Sequence, residues 1–285
     1  MSKLNIPGIA RALSKWRDLP GCANPACTTK PLIQAVSKRH MGMRLFEQWF
    51  CSPDCFESGA QQKIVELLSA RDKHEKPPTS RMPLGLLLLS RGILSHEQLK
   101  TALDHQRASG ANFGDAVQEL GFATQQHVTA AVAAQWACPV FSLGDRPLPA
   151  EVHIPRCMLE LYGMLPVHFS QIGRRLMVGF VTRVQHHILY TIERMTSCTA
   201  TPCFITATEY RQHMQSLAVA TTENELVFER TSRLGDSFTE IAKLVRNYVS
   251  QAGAEEARFG MCGDYLWVRI LGHQEMDLLF RMQND

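Results

Sequence analysis

The sequence predicts an α+β protein made of a small cysteine-rich module, a four-helix unit joined to a small α/β subdomain, and a C-terminal α+β unit. Three observations lead there. Two close cysteine pairs lie within the first 55 residues, a 24-residue pattern occurs twice at an offset of 29, and residues 238–280 switch from helical to two-residue hydrophobic periodicity. At 285 residues with 45% hydrophobic and 20% charged, the chain is long and apolar enough for about two globular domains.

Composition excludes several classes. Thirty basic against 27 acidic residues give a net charge of +3, too weak a bias for a general polyanion binder. The longest apolar run, Leu84 to Leu89, is far too short to span a bilayer. Met-Ser-Lys-Leu-Asn-Ile-Pro at the start carries no apolar signal region, so a cytoplasmic location is expected. In a reducing compartment the nine cysteines require a reason other than disulfides.

Four of them supply one. Cys22 and Cys27 form a C-x4-C pair, and Cys51 and Cys55 a C-x3-C pair. Two close thiolate pairs joined by a loop can complete the tetrahedron zinc prefers. Ser52 suits a helix N-cap and Pro53 the first helical position, which puts Cys55 in a first turn where the helix dipole favours a thiolate. Gly21 and Asn24-Pro25 mark a turn at the first pair. This arrangement resembles a treble-clef or ribbon-type zinc module, with a closed and therefore structural site. His40 is a spare candidate ligand. Cys138, Cys157, Cys198, Cys203 and Cys262 sit among apolar residues and are expected in the core.

Residues 1–78, the zinc module and its helix, hold 12 Lys or Arg against seven Asp or Glu, a net of +5. That mild bias is the sole support for an alternative reading as a zinc-ribbon DNA-binding regulator, since no basic-aromatic stripe accompanies it. Ile64, Leu67 and Leu68 give Ala60–Arg71 a helical face, and a charged, proline-containing linker follows from Lys73 to Ser80.

The repeat lies in residues 81–136, the first part of a unit spanning 79–218. Pro83–Gln106 and Asn112–Gln135 align with Gly85 on Gly114, Gly92 on Gly121, Ala102 on Ala131 and Gln106 on Gln135. Leu84 matches Phe113, Leu88 matches Val117, Ile93 matches Phe122, Leu99 matches Val128, and Leu103 matches Val132. Ser95 and Thr124 share an N-cap position, and Gln98 completes a capping box in the first copy. Each copy reads as a short helix ended by glycine, then an amphipathic helix.

The tandem L-G-x-x-L-x-x-x-G…L-x-x-x-L-x-x-Q pattern resembles the N-terminal domain, often called MshEN, of type II secretion and type IV pilus assembly ATPases. That resemblance implies binding of cyclic di-GMP, each repeat cradling half of the dinucleotide. The implied ligand-binding residues are Arg81, Leu84, Gly85, Leu88, Gly92, Leu99, Leu103, Gln106, Phe113, Gly114, Val117, Gly121, Val128, Val132 and Gln135. Gly85 and Gly114 would let backbone approach a flat base, and Gln106 and Gln135 would serve a guanine edge or phosphate. Pro83 and Asn112 stand where the family motif carries an arginine before Leu-Gly, which removes two charge-assisted contacts. Arg81 and Arg107 lie nearby but off the motif position.

The resemblance continues through Trp136–Leu143 into the α/β subdomain, residues 137–218. There the expected order is a helix from Ile154-Pro155 to Leu161, strands Met164–Phe169 and Arg175–Phe180, a helix Val184–Met195, a strand Pro202–Ile205 and a helix Thr208–Leu217. Thr182-Arg183 replaces the family's Asp-Pro turn. His186-His187 is no metal pair, because adjacent helical residues face apart. After a polar joint at Thr221–Asn224, residues 225–285 read as a partial pre-motor-like α+β domain. Phe238, Ile241, Leu244, Val245, Tyr248 and Val249 mark its helix, Gly253 its cap, and Glu256–Gly260, Tyr265–Leu271 and Met276–Phe280 its strands.

No G-x-x-x-x-G-K-[ST], H-E-x-x-H or G-x-S-x-G occurs, and the chain ends before the family's motor would begin. A non-catalytic regulator with structural zinc, cyclic di-GMP as ligand and a secretion or pilus machinery protein as partner is therefore expected. The alternative is a ligand-free adaptor docking on such an ATPase or its membrane platform. Neither membrane insertion nor nucleic-acid binding is expected.

Overall fold

The computed structural model describes residues 21–29, 42–71, 81–219, 224–229 and 238–282. His40, the linker after Arg71 and most of the joint at Thr221–Asn224 lie outside the described residues. The described residues form two compact units: those within 21–71 and 224–282 build the first, and 81–219 build the second. The described residues are α+β in both.

In the first unit, β1 (Met43–Leu45) and β2 (Gln48–Phe50) make an antiparallel hairpin. α1 (Pro53–Arg71) follows at once. Its start obeys the local sequence: the Cys55 amide donates to Ser52 Oγ at 3.2 Å, behind Pro53. The C-terminal part supplies β6 (Glu225–Phe228), a further helix Phe238–Gln251, and β7 (Glu256–Cys262), β8 (Tyr265–Leu271) and β9 (Met276–Arg281). One six-stranded sheet results, in the order β2-β1-β7-β8-β9-β6. β1 runs parallel to β7, pairing Arg44 with Glu256 and Leu45 with Ala257.

The zinc segment and the C-terminal segment, which read as separate modules in the sequence, thus share a sheet. Three-residue strands cannot stand alone, and the edge of β7 completes them. The two helices pack together over one sheet face, around Phe50, Phe56, Ile64, Val245, Val249, Phe259, Val268 and Phe280. Ala60 and Ala242, both fully buried, keep side-chain bulk low in that core. On the alternate positions of β8 and β9, Asp277 accepts from Trp267 Nε1 at 2.6 Å, from Arg269 Nε at 2.9 Å and from Arg269 Nη2 at 2.8 Å. β6 lies just past the polar joint, where the sequence predicts no strand: its four residues gain strand structure by pairing parallel to β9.

The second unit opens with four helices, α2 (Leu84–Ser90), α3 (His96–Ser109), α4 (Phe113–Glu119) and α5 (Gln125–Gln135). Ser95 and Thr124 both form capping boxes, the second with His127. Gly92 and Gly121 adopt φ of 69° and 70° and end the short helices in matching turns. Then come α6 (Arg156–Tyr162), β3 (Met164–Ser170), β4 (Arg175–Phe180), α7 (His186–Thr196), β5 (Thr199–Phe204) and α8 (Ala207–Val219). β3 pairs antiparallel with β4, and β5 lies parallel to β4 after the α7 crossover. β5 starts three residues before the expected Pro202, since Thr199–Thr201 pair with Arg175–Met177. The exit from the helical repeats runs beside β5 through a Val140–Phe204 bridge. With α1 and β1–β9 assigned, the helix Phe238–Gln251 is α9.

Candidate functional site

The four early cysteines converge. Their sulfurs all lie within 4.8 Å of one another, with Cys27 to Cys51 at 3.5 Å and Cys51 to Cys55 at 3.9 Å. A tetrahedral zinc–thiolate site with bonds near 2.3 Å separates its sulfurs by about 3.8 Å, so the cluster has the size of one metal ion.

Three elements deliver the ligands. The first pair sits on a turn in which the Ala26 amide donates to Asn24 Oδ1 at 2.9 Å, an Asx turn at the Asn24-Pro25 pair. The Ala23 amide donates to the Trp49 carbonyl at 2.8 Å and fastens that turn to β2. Cys51 directly follows β2, and Cys55 lies in the first turn of α1.

The thiols differ in acidity. Burial pushes the Cys51 thiol up to about 12 and raises Cys22, while hydrogen bonding to Thr29 draws Cys27 down to about 6. A divalent ion would reverse the burial penalty and favour four thiolates. An ion bound by all four thiolates would have no open coordination position. Of the remaining cysteines, Cys198, Cys203 and Cys262 are buried, and burial holds the Cys203 thiol up at about 12.

In the helical unit, α2 packs on α5 and α4 on α3. The 29-residue offset exchanges these two interfaces, so the repeats are related by a local two-fold. At its centre the repeats interlock. A Cβ on Gly85 would lie 2.7 Å from Leu99 Cδ1 and 3.0 Å from the Phe113 ring; one on Gly114 would lie 3.1 Å from Val128 Cγ1 and 3.8 Å from Leu84 Cδ2. Each contact is the other's equivalent. These two glycines allow the helices to close on one another.

The residues implied by the motif divide by environment. Leu88 and Val117 are completely buried and Val132 is 8% exposed, so their side chains serve the helix core. Gly92 and Gly121 are exposed and turn the chain. Leu84, Leu99, Phe113 and Val128 are half-buried around the two-fold, with Gln106 and Gln135 also half-buried; Leu103 is exposed.

Two of the polar residues are already engaged. Gln135 Nε2 donates to the Met82 carbonyl at 2.6 Å, and the Arg81 guanidinium lies 3.3 Å from the centre of the Trp136 ring. Arg107 pairs with Asp104 at 3.0 Å on the surface of α3. The sequence reading assigned no role to Trp136, although an aromatic directly after the repeat glutamine was a visible signal. His105 also links α3 to α4 through Glu119 at 3.0 Å.

His186 and His187 diverge as expected, one ring 6.5 Å from Trp136 and the other 5.7 Å from Tyr162. Thr182 and Arg183 are exposed after β4. A different carboxylate organises this subdomain. Glu209 accepts from the Leu143 amide at 2.9 Å, from Gly144 at 3.3 Å and from the Ser142 hydroxyl at 3.2 Å, and with its other oxygen from the Thr206 amide and hydroxyl at 3.1 and 2.7 Å.

Among the described residues, no helix is long and apolar enough to cross a membrane. No family model matches the chain, and no curated protein matches it. Solved structures do show similarity. A structure of MshE with cdg is 20% identical, matched over 48% of this chain and 99% of its own length with a TM-score of 0.40. The N-terminal domain of XpsE is 18% identical over 46% of this chain and 91% of its own, with a TM-score of 0.36. Likeness at this level assigns no function.

Proposed function

We propose that this chain is a non-catalytic regulatory protein of the cytoplasm whose helical repeats bind cyclic di-GMP and whose four cysteines hold one structural zinc ion. The observation that carries the ligand reading is the exchange symmetry of the repeats, with Leu84–Gly85 and Phe113–Gly114 meeting at the local two-fold. Cyclic di-GMP is itself two-fold symmetric, so each guanine and each phosphodiester would meet equivalent groups. Half-buried Leu84, Leu99, Phe113 and Val128 offer apolar contact to the bases, and the amides of Gln106 and Gln135 offer paired donors and acceptors. With a net charge of only +3, such an anion must be held by local contacts and not by a general field. A partner in the secretion or pilus machinery would receive the bound state.

Calorimetric titration of cyclic di-GMP into the full chain tests the ligand. Measurable heat is expected, with affinity reduced tenfold or more (about 1.4 kcal/mol) by Gln106→Ala together with Gln135→Ala. Absence of heat at high micromolar nucleotide, or binding indifferent to both substitutions, sinks the proposal. For zinc the measurement is metal content: one ion per chain, lost in Cys51→Ser.

A ligand-free adaptor is the second reading. It is favoured by the engagement of Gln135 with Met82 and of Arg81 with Trp136, and by Leu86, 49% exposed where the second repeat has Asp115. Pull-down from native lysate separates the two, since an adaptor captures its partner with or without nucleotide.

A further inference from the structure

We infer that the four-cysteine centre is the clasp of a discontinuous domain, so that metal at Cys22, Cys27, Cys51 and Cys55 governs whether the C-terminal sheet stays closed. The inference rests on the metal reading proposed above and extends it to residues some 200 positions away. What carries it is the placement of the ligands. Cys51 and Cys55 belong to the same buried core as Val245, Val249, Phe259, Leu266 and Phe280. The centre is therefore part of the packing of the C-terminal strands and is no appended module.

The mechanical links are specific. β1 covers the outer edge of β7, where the Arg44 amide donates to the Glu255 carbonyl at 2.9 Å and the Phe46 amide to the Ala257 carbonyl at 3.1 Å. β1 and β2 have three residues each, too few to persist without support at both ends. One support is β7. The other is the turn bearing Cys22 and Cys27, which reaches β2 through Ala23 and closes on Cys51 and Cys55.

From the same centre α1 runs across the sheet against α9. Gln61 Nε2 donates to Thr239 Oγ1 at 2.9 Å, and Arg246 Nη1 lies 3.1 Å from Asp54 and 3.0 Å from Glu57. Without the ion, the thiols keep weak hydrogen bonds to one another and to neighbours such as Thr29. The turn keeps the Ala23–Trp49 bond to the hairpin but loses its anchor at the four sulfurs. The hairpin then frays, the first turn of α1 loosens, and the edge of β7 is uncovered. Linkage makes the coupling reciprocal, so loosening the C-terminal core must also loosen the metal.

Limited trypsin digestion of the full zinc-loaded chain, with fragments mapped by mass, reads the first direction. Chelation should speed cleavage after Lys243, Arg246, Arg258 and Arg269 by on the order of tenfold. Cleavage after Lys100 and Arg175 should not change, and zinc but not magnesium should restore protection. The reciprocal direction is read by the rate at which a chromogenic chelator strips zinc from Phe259→Ala, expected to be several-fold faster than from the parent chain. Protein that carries no zinc overturns the metal reading and this inference with it. Zinc that leaves with no change at the four C-terminal sites, together with an unaltered stripping rate in Phe259→Ala, overturns this inference alone.

Discussion

Among single residues, Glu209 shows how one carboxylate can set the path of a loop. Burial opposes its ionisation, but the Thr206 hydroxyl and the amides of Thr206, Gly144 and Leu143 outweigh that and hold the carboxyl below its ordinary range. A lowered folded-state pKa means that the stabilisation is fully present above the ordinary glutamate range and is lost as pH falls through the folded value. Glu209→Gln keeps the shape but loses the charge that strengthens these bonds. The variant should be less stable by about 1–2 kcal/mol near neutral pH, and the gap to the parent chain should narrow steadily in acid. Thermal melts across a pH series check this; a gap constant with pH would refute the charge argument. The Arg269–Asp277 pair differs in kind. Both side chains are almost wholly buried, with Asp277 bound to Arg269 and Trp267 on neighbouring strands, and this network occupies sheet positions where apolar residues would otherwise be expected.

At the level of elements, the repeats make a controlled comparison. Ser95 and Thr124 occupy equivalent N-caps, each accepting from the third helical amide at 3.2 Å. Ser95→Ala and Thr124→Ala should each cost about 1 kcal/mol, and the costs should add in the double variant because the caps share no partner. Chemical denaturation of the three variants tests both points. The repeat was legible because its helices are defined by local signals: glycine stops, hydroxyl caps and apolar spacing. The glycines of the two-fold illustrate what was not legible. Gly85 and Gly114 read equally well as openings for a ligand or as packing sites, and their neighbours Leu99, Phe113, Val128 and Leu84 identify them as places where helices approach closely. Likewise Leu88 and Val117 fit the motif of a binding face, yet their side chains are wholly internal. Spacing identifies the helix face; which part of it meets the partner helix depends on the crossing.

For the whole molecule, the division into units departs from chain order. Phe56 lies in the first unit's shared core, so Phe56→Ala should cost about 3–5 kcal/mol and raise amide exchange in β7–β9, far away in sequence. Leu88→Ala, in the core of the helical unit, should leave exchange in β7–β9 unchanged. Hydrogen-exchange mass spectrometry distinguishes that pattern from one in which the cysteine segment folds by itself. Most helices and strands of the second unit were readable in advance, since capping, turns and hydrophobic period act over a few residues. The four cysteines were readable for the same reason, because paired spacing and a capped helix start are local. Their sequence alone determined a candidate metal centre and a tandem helical repeat. Only the tertiary structure decided that β1 joins β7, that β6 joins β9, and that the metal-type centre belongs to the C-terminal sheet. Parallel pairing between strands so far apart leaves no periodic trace in either segment. It is selected by the edges and apolar faces that remain unsatisfied once the local elements have formed.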